Sequence, residues 1–267
     1  MLDDQQVALY LERIGYRDSR KCDLSVLNAL HTAHMLSVPF ENLDIILGQQ
    51  INLNLDALFD KIVLKHRGGF CYELNTLFRA LLLRLGFKVR FLSARVFNGS
   101  HYGSAFDHML LLVNIENVDV IVDVGFGDSF KQPLPLSGAA QTQNDVSYFL
   151  KGEGGEYILH REKILSHPVP LYRFSADVHE LDAFEQQCNF HQTSPESHFT
   201  QHALCSVATS YGRQSIRDGY FIDTCKGIRN GYQIKSETEY RLILKDKFRM
   251  SLHEDANFSI FFGVNPI

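Results

Sequence analysis

The chain has 267 residues, 45% of them apolar and 21% charged, with a formal net charge of −5. That is room for one large or two to three small domains with real cores, and the mildly acidic balance argues against sequence-blind nucleic-acid binding, which needs a basic footprint. The start Met1-Leu2-Asp3-Asp4 lacks the basic-then-apolar profile of a signal peptide and no apolar run reaches bilayer length, so a cytoplasmic protein with no membrane partner is expected.

The first third reads as helix. Val7, Tyr10, Leu11 and Ile14 share a face, and Gly15 follows as a stop. Leu27, Leu30 and His34 give a second helix that ends before Pro39, and Leu55, Leu58, Phe59, Ile62 and Val63 a third. The fourth is the clearest: Leu74, Leu77, Phe78, Leu81, Leu82 and Leu85 form one stripe, Arg79 and Arg84 fall off it, and Gly86 stands at the C-cap. The period changes at residue 87. Phe87–Phe91 alternates, Met109–Ile115 is a short apolar run, and Val118–Val124 alternates again. Ser147–Leu150 and Tyr157–His160 flank the Gly-rich turn Lys151–Gly155. The middle of the chain therefore reads as a meandering antiparallel sheet or barrel. Beyond Pro168 the pattern gives a helix near Val178–Gln187, a loop through Ser194-Pro195, then short strands and a helix.

The five cysteines, Cys22, Cys71, Cys188, Cys205 and Cys225, are widely spaced and odd in number, which reads as reduced thiols in a cytosolic protein. Any one of them is ordinarily a small buried apolar residue. Cys71 differs in place. It follows Arg67-Gly68-Gly69-Phe70 at the start of the fourth helix, where unpaired amides and the helix dipole favour a thiolate.

A base for that thiol comes from hairpin arithmetic. Strands 109–115 and 118–124 are joined by Glu116-Asn117, a two-residue loop. Symmetric pairing opposes Asp123 to Leu110, and Leu110 shares a face with His108. His108 and Asp123 are then diagonal neighbours on one face. An Asp within reach of a His fixes the imidazole tautomer and stabilises its cation. A carboxylate facing a core also demands a partner. The bland alternative, that Asp119 and Asp123 mark a solvent face, is weak once Cys71 is considered.

Other candidates carry less. His198 and His202 are four apart but lack the glutamate of a zinc protease motif, and His31 and His34 pack or face solvent, so no metal is assigned. Gly125-Phe126-Gly127 is not followed by Gly-Lys-Ser/Thr, so it reads as the turn ending a strand.

Several motifs in order resemble the arylamine N-acetyltransferases: Val38-Pro39-Phe40-Glu41-Asn42-Leu43-Asp44, Arg67-Gly68-Gly69-Phe70-Cys71-Tyr72-Glu73-Leu74-Asn75, Asp107-His108, Val122-Asp123-Val124-Gly125-Phe126-Gly127, and Thr193-Ser194-Pro195 with Ser197 and Phe199. The resemblance implies an α+β fold of three parts, similar to cysteine-protease-like arrangements. A helical bundle over 1–86 carries the nucleophile, an antiparallel β-barrel over 87–193 carries His and Asp, and a linker and α/β lid span 194–267. It implies a catalytic Cys71, His108 and Asp123, substrate contacts at Phe126, Gly127, Phe40 and Phe70, and bracing charges at Arg67, Glu41 and Glu73. It implies acetyl-CoA as co-substrate with no permanently bound cofactor, and arylamines, arylhydrazines or arylhydroxylamines as acceptors, in a monomer or homodimer. The reaction it implies is ping-pong through an acetyl-cysteine. Asp128 departs from the family, where a small residue, often glycine, is common. The rivals are an amide synthase using the same triad and a Cys-His-Asp hydrolase.

Overall fold

The computed structural model describes residues 1–250 apart from 144, together with 252, 256 and 258. Helix α1 spans Asp4–Arg13; Asp3 and Gln6 cap it reciprocally and Gly15 ends it at φ +70°. Helix α2 (Leu24–Ser37) is capped by Asp23 and stops before Pro39. Strand β1 (Phe40–Glu41) and helix α3 (Leu43–Ile46) follow. Helix α4 (Leu55–Phe59) runs into a π-helical turn, Asp60–Leu64, so the expected third helix is present but underwound at its end. Helix α5 covers Cys71–Arg84, and Gly86 follows at φ +93°. Its first two turns, Cys71–Phe78, are buried all round rather than along one stripe, because the helix is packed between its neighbours and the sheet.

Strands β2 (Lys88–Val96), β3 (His108–Ile115), β4 (Val118–Val122), β5 (Leu134–Pro135), β6 (Gln141–Gln143), β7 (Val146–Glu153), β8 (Glu156–Lys163) and β9 (Val169–His179) form one antiparallel sheet. Their order is β5-β4-β3-β2-β9-β8-β7-β6. The sheet curls into a nearly closed barrel: Gln141 donates to the Pro133 carbonyl (2.8 Å) and the Lys131 amide to Gln143 Oε1 (2.6 Å), tying its two ends. Strand β3 is continuously apolar from Met109 to Val113 because both faces are covered. Met109, Leu111 and Val113 pack with the helices, while Leu110 and Leu112 face the barrel interior with Leu92, Tyr172 and Phe174. The β3–β4 register pairs Ile115 with Val118 and Leu111 with Val122. Glu116 and Asn117 both have positive φ, which gives the primed turn that suits strand twist.

The helix expected near Val178–Gln187 begins later. Val178 pairs with Leu92 in the barrel, a 3₁₀ turn spans Leu181–Phe184, and helix α6 is Glu185–Thr193. The three-residue spacing of Val178, Leu181 and Phe184 imitates a helix, but a strand end, a turn and a buried Phe184 produce it. The expected loop at Ser194-Pro195 is short, since Ser197 caps helix α7 (His198–Gln201). Strands β10 (Leu204–Thr209), β11 (Gly212–Arg217), β12 (Tyr220–Cys225) and β13 (Ile228–Gln233) then form a second sheet, and helix α8 (Glu237–Phe248) packs on it through Tyr240, Ile243 and Leu244. Strand β1 joins this sheet at β10, pairing Phe40 with Ser206 and Glu41 with Cys205. The N-terminal segment that precedes the Cys71 loop is thereby tied to the C-terminal sheet. Among the described residues, no helix is long and apolar enough to cross a membrane.

Candidate active site

Cys71 is the first residue of α5, with Phe70 at the N-cap. Phenylalanine has no capping acceptor, so Glu73 serves from inside the helix: its Oε2 accepts the Phe70 N–H at 3.0 Å. The preceding loop is pressed against β1. A Cβ on Gly68 would lie 2.1 Å from the Pro39 carbonyl oxygen, so only glycine fits.

Charged residues brace this loop from beneath. The Arg67 guanidinium bonds Glu41 Oε1 (Nε, 2.9 Å) and Asp44 Oδ1 (Nη2, 2.6 Å). Lys61 bridges Asp44 and Glu73, each at 2.7 Å. Glu41 also accepts the Leu43 and Gly68 amides. Burial works against the charge on Lys61 and Arg67, but the surrounding carboxylates raise both above their ordinary values. Glu73 is pushed up to about 7, chiefly by burial, with Lys61 opposing. Arg67, Glu41 and Glu73 thus fall in one network. Asp44 and Lys61 complete it, and the π-turn that presents Lys61 has no sequence signature.

Cys71 is 3% exposed. Burial pushes its thiol well above the ordinary value, and a backbone hydrogen bond from Met109 pulls the other way. Burial thus opposes the thiolate that the helix start favours. Asn75, one turn further along α5, shares the Cys71 face. Its Nδ2 donates to the Met109 carbonyl (2.8 Å) and to Asp123 Oδ1 (3.1 Å). Gly125 closes against the same face: a Cβ there would sit 2.7 Å from Cys71 Cα. Cys71, Asp123 and the start of β3 therefore meet at one point.

Asp123 lies one residue past β4 and is fully buried. Its carboxylate accepts four hydrogen bonds. His108 Nε2 (2.8 Å) and the Tyr172 hydroxyl (3.0 Å) meet Oδ2; Asn75 and the Gly125 amide (2.9 Å) meet Oδ1. Burial alone would raise this carboxyl, but His108 and these donors hold it below its ordinary value. Since Asp123 occupies Nε2 of His108, Nδ1 is the ring nitrogen left for proton traffic.

The Asp123 backbone is held as well. His31 is buried, and burial lowers its pKa below the ordinary value. Its Nδ1 meets the Lys131 carbonyl at 2.9 Å, and its Nε2 lies against the Asp123 backbone, 3.1 Å from the carbonyl oxygen and 3.3 Å from the amide nitrogen. Sequence reasoning missed Asn75, Tyr172 and His31 as supports. Only Asn75 had a readable signal, its i+4 spacing from Cys71. His34 is buried against Tyr10, and His202 meets Asp218 at 2.7 Å. Among the described residues, no three His, Cys, Asp or Glu side chains cluster as metal ligands.

A cavity of about 690 Å³ lies between the barrel and the C-terminal sheet. Phe126, Gly127 and Phe40 border it; Cys71 and His108 do not. The Phe126 ring stands between, 5.1 Å from the His108 ring and 5.0 Å from Tyr172. Phe70 is not on the wall. It is fully buried against Tyr72 and Phe199.

A family model described as N-acetyltransferase matches residues 23–257. Arylamine N-acetyltransferase 2 of Mus musculus is 36% identical, over 77% of this chain and 79% of its own. Arylamine N-acetyltransferase 1 of Homo sapiens is 33% identical, over 95% of this chain and 99% of its own. Among solved structures, arylamine N-acetyltransferase from Salmonella typhimurium superposes with a TM-score of 0.88 at 28% identity, covering 98% of this chain and 97% of that one. The Mycobacterium marinum enzyme in complex with CoA gives 0.85 at 28% identity, covering 91% and 92%.

Proposed function

The chain belongs to the arylamine N-acetyltransferase family and is an acyltransferase, and we propose from that premise that it moves an acetyl group from acetyl-CoA to the nitrogen of arylamines, arylhydrazines or arylhydroxylamines. Cys71 is the nucleophile, His108 the base and Asp123 its support. The observation that carries this reading is the Asp123 carboxylate, which holds His108 Nε2 on one oxygen and, through Asn75 and Gly125, the Cys71 face of α5 on the other.

The thiol proton passes from Cys71 to Nδ1 of His108. The thiolate attacks the acetyl carbonyl, the thioester C–S bond breaks, and CoA leaves with the proton from the imidazolium. An acetyl-cysteine remains. The amine then attacks it, His108 takes the amine proton, and the amide departs as the Cys71 thiolate is released. Asp123 stabilises the imidazolium in both halves without itself being protonated. The same reading divides the chain into a nucleophile-bearing helical part (1–86), a barrel part with His108 and Asp123 (87–193), and a C-terminal lid (194–267) in a cysteine-protease-like arrangement. The last residues of that lid lie outside the described residues. Phe126, Gly127 and Phe40 meet the substrates where the cavity approaches the triad, with Phe70 packed behind them. Arg67, Glu41 and Glu73 brace the nucleophile. A cytoplasmic setting suits five unpaired thiols.

The test is acetyl-CoA alone against acetyl-CoA with an arylamine. A burst of about one equivalent of free CoA per active site is expected without amine, then slow hydrolysis. Adding aniline or an aminosalicylate should raise sustained release at least tenfold, about 1.4 kcal/mol in barrier. Sustained release without amine, unchanged by adding one, means a thioesterase instead.

A further inference from the structure

The chain is acidic overall, yet the cavity beside Phe126 is basic: seven of its lining residues are Lys or Arg and two are Asp. The two arginines nearest the triad end come from different layers, Arg161 from β8 of the barrel and Arg213 from β11 of the C-terminal sheet. Both are held by one residue. Asp128 Oδ2 accepts Arg161 Nη1 at 2.6 Å, and Asp128 Oδ1 accepts Arg213 Nε at 3.0 Å. Arg213 is further fixed by the Gly127 carbonyl and by Ser206 Oγ at 3.0 Å.

This bridge is not a structural cross-link of the usual buried kind. The surrounding layers would raise the Asp128 carboxyl, and the arginines lower it. Its side chain is nevertheless 61% exposed to the open cleft, so solvent reaches it and burial counts for little. An exposed pair of this type adds little stability. What it does is hold two guanidinium forks side by side, across the cleft, around a single anion. That is the arrangement in which arginines bind phosphoryl oxygens, and here a carboxylate of the chain itself occupies it.

We propose that Asp128 is a tethered anion on the phosphate-binding arginines of this cleft, and that the phosphates of the acyl donor compete with it for Arg161 and Arg213. The inference rests on acetyl-CoA being the donor. Asp128 then sets donor affinity: it keeps the arginines aligned while the cleft is empty and weakens their hold on a phosphate by competition and like-charge repulsion. At this position, one residue after Gly127, the side chain controls the donor without touching the triad.

The experiment compares two donors that share the thioester arm and differ in phosphate: acetyl-CoA and S-acetylpantetheine. Asp128→Asn should lower KM for acetyl-CoA about three- to tenfold, the scale of one like-charge contact in a solvated cleft. It should change KM for S-acetylpantetheine by less than about twofold. Arg161→Gln should raise KM for acetyl-CoA alone. Inorganic pyrophosphate, titrated calorimetrically into the native protein and Asp128→Asn, should bind tighter to the variant. Equal effects of Asp128→Asn on both donors, or weaker acetyl-CoA and pyrophosphate binding in the variant, overturn the proposal. If neither donor acetylates any amine, the functional reading fails instead, and pyrophosphate titration still decides the anion site.

Discussion

Asp123→Asn is the sharpest perturbation of this site, because the native carboxylate accepts four hydrogen bonds and donates none. An amide keeps the shape, loses the charge and turns one acceptor into a donor. If its NH₂ faces Asn75 and the Gly125 amide, two fixed donors oppose it. If it faces His108 and Tyr172, the hydroxyl can rotate and the imidazole can change tautomer, so this orientation costs less. It forces His108 to accept at Nε2 and carry its proton on Nδ1, the nitrogen needed for the Cys71 proton. Turnover should fall by about 10³–10⁴-fold, the scale seen when a triad aspartate becomes an amide in a serine protease. Stability should fall by about 1–3 kcal/mol for the mismatched donor. The native carboxyl is depressed on folding, so its contribution is full above the unfolded value near 3.9 and is lost as pH falls through the lower folded value. The stability gap between native and variant should therefore narrow only in strong acid. Stopped-flow CoA release, with thermal unfolding from pH 3 to 8, measures both. A folded Asp123→Asn variant within tenfold of native turnover would refute the role assigned to His108.

Three further outcomes are expected. With the exposed Cys22 and Cys225 changed to Ser, substoichiometric iodoacetamide at neutral pH should label Cys71 first and remove activity in step, because His108 can take its proton; peptide mapping that finds Cys188 or Cys205 modified as activity is lost contradicts this. Gly125→Ala drives a methyl to 2.7 Å from Cys71 Cα and should cost about 1–3 kcal/mol, read as a melting point several degrees lower, whereas an unchanged melting point would mean the α5 contact is loose. Phe126→Ser removes the ring between the cavity and His108 and should reorder aromatic acceptors while acetyl-CoA still acetylates Cys71 by mass spectrometry; loss of acetylation in a folded variant assigns the ring another role.

What the sequence revealed and what it hid follow one physical division. Helices α1, α2 and α5 were legible because their apolar spacing, caps and stop glycines are local. The β3–β4 hairpin was legible because a two-residue loop fixes the register, and that register brought His108 to Asp123 without reference to any relative. The supports were not legible. Tyr172 reaches Asp123 from 49 residues away, and His31 from 92, through packing that no local pattern records. Strand β1 has two residues, too few for any period to show, yet it joins the C-terminal sheet to the segment before the Cys71 loop. Val178 was misread because helix spacing and a strand followed by a tight turn can place apolar residues alike.

The ion network under Cys71 gives the last prediction. Lys61 and Arg67 face Glu41, Asp44 and Glu73, two cations against three carboxylates in a buried site. One negative charge is in excess, and burial, helped by the neighbouring Glu41 and Asp44, raises the folded pKa of Glu73 to about 7, above its ordinary 4.5. Between those values the folded chain binds a proton that the unfolded chain does not. Stability should therefore fall as pH rises from about 4.5 to 7 and level off above. Glu73→Gln removes the excess charge and keeps a carbonyl oxygen for the Phe70 N–H, so it should cost less than about 1 kcal/mol at pH 8 and flatten this slope. Lys61→Met acts oppositely: three carboxylates would remain around Arg67 alone, at a cost of about 3–5 kcal/mol. Urea unfolding of both variants at pH 5, 6.5 and 8 separates the cases. A Glu73→Gln variant with the native pH slope would mean that another group carries the proton. A Lys61→Met variant as stable as the native protein would mean that the network does not brace the nucleophile.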